Sequence, residues 1–220
     1  MIVQDFVNRL PPSRLGKSHP TLSKFHDTIN HTVCRTKEYT LVVVTAPPRQ
    51  ILLGMKNRGF GTGMYNSFGG KFDSPEESPE ECASRELHEE TNIFVDAAQL
   101  KNSKIGIQRF TFDNDPVEML IHLFRIHLPR DHKAYSKIQA CDEITPEWFD
   151  EWTRIPLDNM FADDSHWLVE LLSSKEALLI DGSYHFQENP SETNTVLHYH
   201  MNVRPKQSSQ QNKDNSMTTT

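Results

Sequence analysis

Glu86, Glu89 and Glu90 are spaced i, i+3, i+4, so on an α-helix three carboxylates project from one face. Two like unit charges about 4 Å apart repel by roughly 4 kcal/mol at an effective dielectric near 20. The one cation beside them, Arg85, does not balance three anions. A hard, oxygen-seeking divalent cation does, Mg²⁺ first and Mn²⁺ second. Carboxylates gathered around such a cation can also activate water. A plainer reading is a solvated acidic face with Arg85 paired i, i+4 to Glu81 and Glu89, each pair worth only about 0.3–0.5 kcal/mol. Spacing alone does not separate the two. A second acidic pair, Asp163-Asp164, opens a later helical stretch. Read locally it is an N-cap pair. Read as chemistry, two near carboxylates in apolar surroundings push one pKa upward, so that one keeps its proton and can donate.

The elements that must position these groups are well punctuated. Ser78-Pro79-Glu80-Glu81 is a capping box with proline at the first helical position, and Asn92 suits the left-handed position after the last turn. The spacing therefore predicts a helix over 79–91, with Ala83 and Leu87 on a second face that can pack on a sheet. Tyr39–Thr45 and Ile51–Met55 read as strands around a Pro47-Pro48 turn, and a glycine-rich loop runs from Arg58 to Gly70. Further strands are predicted near 104–112, 117–128 and 144–150, then a helix over 164–174 with Trp167, Leu168, Leu171 and Leu172 at helical spacing. Two last strands, near 183–188 and 195–203, flank a Pro190-Ser191-Glu192 turn. The fold class is α+β: a curved mixed β-sheet flanked by two helices, an α/β/α sandwich. Residues 1–38 read as an unstructured basic leader, 39–203 as the domain, and 204–220 as a polar tail with nothing to bury. The leader's bias toward Arg and Lys also admits a presequence reading, which Pro11-Pro12 and Pro20 oppose by breaking any long amphipathic helix.

Composition excludes several function classes. A net charge of −7 over 220 residues, with no basic cluster, does not suit a binder of polymeric nucleic acid. It leaves small anionic substrates open, because a divalent cation reverses the local field. Three widely spaced cysteines offer neither a CxxC pair nor a disulfide framework, and eleven histidines include no HExxH, so zinc is not expected. No apolar run is long enough to span a bilayer. A small anionic partner is expected rather than a nucleic acid or a membrane, and the chain is expected to act as a monomer. The expected compartment is the cytoplasm, with the nucleus or mitochondrion as the alternative.

The run Gly69-Gly70-Lys71, Glu77, then Arg85-Glu86-Leu87-His88-Glu89-Glu90-Thr91-Asn92-Ile93 resembles the Nudix box. That pattern reads Gly, five residues, Glu, seven residues, Arg-Glu-aliphatic-x-Glu-Glu-x-Gly-aliphatic. One extra residue lies between Gly70 and Glu77, which leaves Glu76 and Glu77 as alternatives for the first glutamate, and Asn92 stands where the pattern has glycine. Leu52–Lys56, Arg58–Gly61, Tyr65–Lys71, Asp142-Glu143, Trp148-Phe149, Ile155-Pro156 and Phe161–Ser165 are similar to those MutT-type members of the family that act on oxidised purine nucleoside triphosphates. The likeness runs from about Tyr39 to Val203. It implies hydrolysis of a nucleoside triphosphate to monophosphate and pyrophosphate with Mg²⁺, held by Glu86, Glu89, Glu90, Glu143 and the Gly69 carbonyl. It makes Glu89 or Glu90 the general base and Arg85 an orienter of glutamate. It places Thr40, Lys56, Asn66, Phe68, Gly69, Gly70, Lys71, Phe110, Met119, Phe161, Asp163 and Asp164 around the nucleotide, with Phe60 as a further apolar wall. Phe161 stands where these relatives usually carry tryptophan. Two other readings of the same box are a hydrolase for a different diphosphate-linked substrate, such as ADP-ribose or a dinucleoside polyphosphate, and a Nudix-like module that binds without catalysis.

Overall fold

The computed structural model describes residues 17–29, 31–129, 133–187 and 195–206. The sheet comprises β1 (Lys17–Ser18), β2 (Arg35–Ala46), β3 (Gln50–Lys56), β4 (Tyr65–Asn66), β5 (Lys104–Phe112), β6 (Asp115–His127), β7 (Ile144–Phe149), β8 (Leu178–Phe186) and β9 (Val196–Pro205). Its order is β1-β9-β8-β5-β6-β2-β3-β4, with β7 on β3. β2/β6, β5/β8 and β1/β9 run parallel and the remaining pairs antiparallel, so the sheet is mixed. The helices are α1 (Leu22–Thr28), α2 (Pro79–Thr91), α3 (Ala97–Lys101) and α4 (Asp164–Ser173).

Two apolar layers hold the sheet between α2 and α4. On one face Val42, Val44, Leu52, Phe68 and Phe124 pack with Ala83 and Leu87 of α2. On the other, Val43, Leu53, Ile121, Leu123 and Tyr184 pack with Trp167, Leu168 and Leu171 of α4. Neighbouring residues of β2 thus point into different layers, and a strand covered on both sides reads as the unbroken run Leu-Val-Val-Val. Each large side chain so buried contributes about 1.5–3 kcal/mol. Among the described residues no helix is long and apolar enough to cross a membrane.

Helix α2 has the ends that its sequence predicts. Ser78 accepts from the Glu81 amide, the Glu81 carboxylate accepts from the Ser78 amide, and Asn92 closes the helix at φ 61°. The pairing of Pro47-Pro48 with a turn between β2 and β3 also holds.

The leader departs from expectation. Lys17–Ser18 adds a parallel strand to β9, and Thr21 caps α1, whose Phe25 is buried. β2 begins at Arg35, inside the supposed leader, and β9 continues to Pro205, inside the supposed tail. The reason is pairing: Arg35 through Glu38 find partners on β6, and Arg204 and Pro205 on β8. A solvent-facing edge of a strand needs only a neighbour for its backbone, not an apolar pattern. β8 likewise starts at Leu178 rather than near 183. Residues 1–16, the Pro190 turn and the chain from 207 onward lie outside the described residues.

Candidate active site

The glutamates of α2 face the glycine pair that follows β4. Gly69 lies at φ +150°, and a Cβ there would stand 2.1 Å from the Thr40 carbonyl oxygen. A Cβ on Gly70 would stand 2.5 Å from a Glu86 carboxylate oxygen. Only glycine lets the backbone approach both β2 and the acidic face so closely. The approach is used at once, for the Gly69 N–H donates to Glu90 Oε2 at 2.8 Å.

Arg85 is the organiser of this face. Its Nε donates to Glu77 at 2.9 Å, Nη1 to Glu86 at 2.9 Å and to Glu89 at 3.4 Å, and Nη2 to the Lys71 carbonyl at 2.9 Å. Asp73 adds a further contact at 3.2 Å. Glu77 also accepts from the Asp73 amide, while Glu76 stays exposed. The extra residue in the loop is therefore absorbed before Glu77, and Glu77 is the glutamate that meets the arginine. Hydrogen bonding to Arg85 holds the Glu77 carboxyl below its ordinary range, and the same bonds raise the Arg85 pKa.

The other carboxylates are less well compensated. Burial pushes Glu90 up to about 8, against the opposing pull of the Gly69 N–H, with Glu86 and Glu143 pushing the same way as burial and Lys56 against it. Burial also raises Glu86, partly offset by Arg85. Glu90 is 6% exposed, whereas the Glu89 side chain is 57% exposed. Glu143 precedes β7, interacts electrostatically with Glu86 and Glu90, and pairs with Arg58 at 3.6 Å. These are hard oxygen donors with excess negative charge, the chemistry that suits a divalent cation. Among the described residues no three such side chains close into a cage. An open arrangement fits a cation that shares its coordination with substrate and water.

The aspartate pair lies across the sheet from α2. Asp163 and Asp164 are 4% and 2% exposed, and neither acts as a helix cap, because Asp163 makes no side-chain bond to the first turn. Asp163 Oδ2 instead accepts from Trp167 Nε1 at 3.0 Å, while Asp163 Oδ1 and Asp164 Oδ2 are buried without a hydrogen-bond partner. Burial raises both carboxyls above the aspartate range, and repulsion from Asp163 raises Asp164 further. An isolated bridge between Tyr65 and Met160 ties β4 to the segment that leads into the pair. Asn66 Oδ1 accepts from the Ser67 amide, so its amide nitrogen is the free end. Phe161 stacks on Phe60 at 5.3 Å, and Phe110 and Met119 face each other across β5 and β6.

The model of the NUDIX domain matches residues 36–174. The chain belongs to the Nudix family. Oxidized purine nucleoside triphosphate hydrolase of Mus musculus is 38% identical over 161 residues, covering 73% of this chain and 91% of that protein. The protein of the same name from Danio rerio is 41% identical over 152 residues, covering 69% and 88%. The crystal structure of a MutT protein from Bacillus halodurans superposes with a TM-score of 0.54 at 23% identity, covering 75% of this chain and 97% of that one, which speaks to the fold.

Within this Nudix domain two of the residues expected at the nucleotide are buried in the fold. Phe68 is wholly buried in the α2 layer, because the strand-like step after Ser67 turns it inward. Thr40 is buried against Cys82 Sγ at 3.4 Å, and its N–H donates to the Gly70 carbonyl at 2.9 Å. Lys71 is exposed next to the glycines, and Lys56 lies close enough to Glu90 to favour its charge. Residues that sequence reasoning passed over include Asp73 and the partners of the aspartates, Trp167 and Tyr184. Trp167 stands four residues after Asp163, an i, i+4 donor that the spacing could have shown. Tyr184 comes from β8 and has no local signal.

Proposed function

We propose that this Nudix enzyme hydrolyses oxidised purine nucleoside triphosphates to the monophosphate and pyrophosphate, with Mg²⁺ as cofactor. The observation that carries the reading is the short segment Asn66–Gly70. Its first residue follows Tyr65, which bridges Met160 three residues before the aspartate pair, and its glycines adjoin the α2 glutamates. A molecule with a base at one end and phosphates at the other matches that span. The similarity to the mouse and zebrafish hydrolases supports the same substrate class.

Glu86 and Glu90 would hold the cation, with Glu89, Glu143 and the Gly69 carbonyl as further oxygen donors. When bound, the cation neutralises phosphate oxygens and lowers the pKa of its water. Arg85 keeps Glu86 and Glu89 in place and stays off the substrate, since its donors are engaged by protein. Glu89 is the exposed member and is free to take the proton of an attacking water. Lys71 and Lys56 meet phosphate charge at the glycine pair. At the far end a protonated aspartate donates to the purine edge, its partner accepts, and Asn66 adds a donor. Phe161 on Phe60 supplies the stacking surface.

Steady-state kinetics on 8-oxo-dGTP, 2-hydroxy-dATP, dGTP and ADP-ribose test the reading. The expected result is Mg²⁺-dependent pyrophosphate release with the oxidised purines preferred. A clear preference for ADP-ribose would overturn the substrate class, and no turnover of any nucleotide would make the chain a binding module.

A further inference from the structure

Gln108 on β5 is wholly buried, and neither its amide nitrogen nor its carbonyl oxygen has a hydrogen-bond partner. A carboxamide can donate twice and accept twice, and a site that buries it unsatisfied loses the hydration of every one of those groups. Such a residue calls for a reason.

The sheet register fixes which way the residue points. Gln108 pairs with Ile121 of β6 and Gly182 of β8, and Phe110, two residues on, pairs with Met119 and Tyr184. No register shift intervenes between Gly106 and Phe110. Residues two apart on a strand share a face. That face is the α4 layer, because the Phe110 ring meets Tyr184 edge-on at 5.6 Å and Ile121 packs there. Gly182, beside Gln108, leaves room for the Tyr184 ring to lean back along β8, since a Cβ there would stand 2.6 Å from Tyr184 Cε2 and 3.3 Å from its hydroxyl. Tyr184 in turn feels the charges of both Asp163 and Asp164, which add to the effect of burial in raising its pKa. The unpartnered amide, the Tyr184 ring and the two aspartates with unpartnered oxygens therefore all lie on the α4 side of the sheet, the aspartates reaching that layer through Trp167.

We infer that Gln108 is a specificity-determining residue of the base pocket, one that reads the edge created when a purine is oxidised. Oxidation of the ring at C8 or C2 converts a bare ring nitrogen and a C–H into an N–H beside a carbonyl. A carboxamide presents the complementary donor and acceptor side by side, and it does so without any change of protonation. The unoxidised edge offers a lone pair and no neighbouring acceptor, so one of the amide groups stays unpaired against it. The penalty for that unpaired group is the source of selection. The inference rests on the substrate class proposed above.

The test is Gln108→Met, which keeps the length and removes the hydrogen-bonding groups. The ratio of kcat/KM for 8-oxo-dGTP over dGTP is expected to fall about tenfold, the size of one polar contact, while thermal stability rises because no bare amide is buried. A more stable variant with an unchanged ratio would overturn the role and leave Gln108 as core filling. Should the variant fail to fold, the side-chain amide resonances of Gln108 in ¹⁵N-labelled wild-type protein give a second readout. They are expected to move on adding 8-oxo-dGMP and not dGMP, and equal response to both overturns the proposal. Wild-type protein that does not prefer 8-oxo-dGTP at all would instead break the underlying functional reading, and this inference with it.

Discussion

Glu86 and Glu89 stand on the last turns of α2 with water reaching one side and Glu90 buried, whereas Asp163 and Asp164 stand at the first turn of α4 with almost no exposure. Both groups crowd carboxylates on a helix, yet their surroundings differ in kind. The glutamates have Arg85, whose guanidinium binds Glu77, Glu86 and Glu89 at once. The aspartates have the neutral Trp167 indole, which donates to Asp163, and their charges reach Tyr184. In the first environment Arg85 holds Glu77 charged, while burial raises Glu86 and Glu90. The second favours the protonated form, because desolvation acts on both aspartates and each repels the other's charge. On the proposed function, the same functional group would serve as a cation ligand on one face of the sheet and as a proton-bearing donor on the other. Burial and the presence of one arginine decide which.

The largest effects should come from abolishing the charged cluster. Glu89→Gln and Glu90→Gln are each expected to lower kcat by about 10²–10⁴-fold, with circular dichroism and the unfolding midpoint close to wild type. Loss of the folded state instead of the rate would mean that these side chains serve the core. Chelation with EDTA should abolish turnover of the wild type, and added Mg²⁺ should restore it. Arg85→Ala removes the internal cation and leaves Glu77, Glu86 and Glu89 facing one another. Stability is expected to fall by about 1–3 kcal/mol, the usual result of stripping charged hydrogen bonds from partly buried partners. Saturating Mg²⁺ should recover part of that loss, because an ion bound only by the native state stabilises it. A midpoint that ignores Mg²⁺ would argue that no cation substitutes for the arginine.

Helix α2 was legible because its information is local: a capping box, a proline, a terminal asparagine and an i, i+3, i+4 triad all lie within fifteen residues or so. The strands with apolar runs were legible for the same reason. The burial of Thr40 and Phe68 has no such local signal, because alternation along β2 and the turn after β4 decide which layer a side chain enters, and neither is written in residue type. Arg35–Glu38 carry no apolar pattern, so only their pairing with β6 reveals that the strand begins there. Asp163-Asp164 were open between a helix cap and a buried pair. Local sequence favours the cap, and only tertiary burial overrides it. Gln108 reads as an ordinary polar residue in a strand until the register sets it beside Gly182 and next to Tyr184.

Smaller effects should come from the aspartates. Asp163→Asn is expected to change the 8-oxo-dGTP to dGTP preference by about 10- to 100-fold, the range that a lost polar base contact produces, with less effect on pyrophosphate release itself. An equal drop for every base would remove Asp163 from the pocket.

The pH dependence of stability gives the finest measure of the contrast. Both aspartates have their carboxyl pKa raised by folding. Such groups contribute stability that is fully present below the unfolded aspartate value, about 3.9, and lost as pH rises through the higher folded values. The glutamate bound to Arg85 behaves oppositely. Glu77 is lowered in the fold, so its contribution is present above the unfolded value and lost as the solution is acidified through the lower folded value. Asp164→Asn should therefore stabilise the protein at pH 8 relative to wild type and flatten the decline in stability between mildly acidic and neutral pH. Glu77→Gln should do the reverse, with a deficit that is largest at neutral pH and shrinks on acidification. Urea unfolding at a series of pH values reads both slopes in one experiment. If the two variants show the same pH profile, then burial and the arginine do not divide the carboxylates into two kinds, and the contrast between the two helices fails.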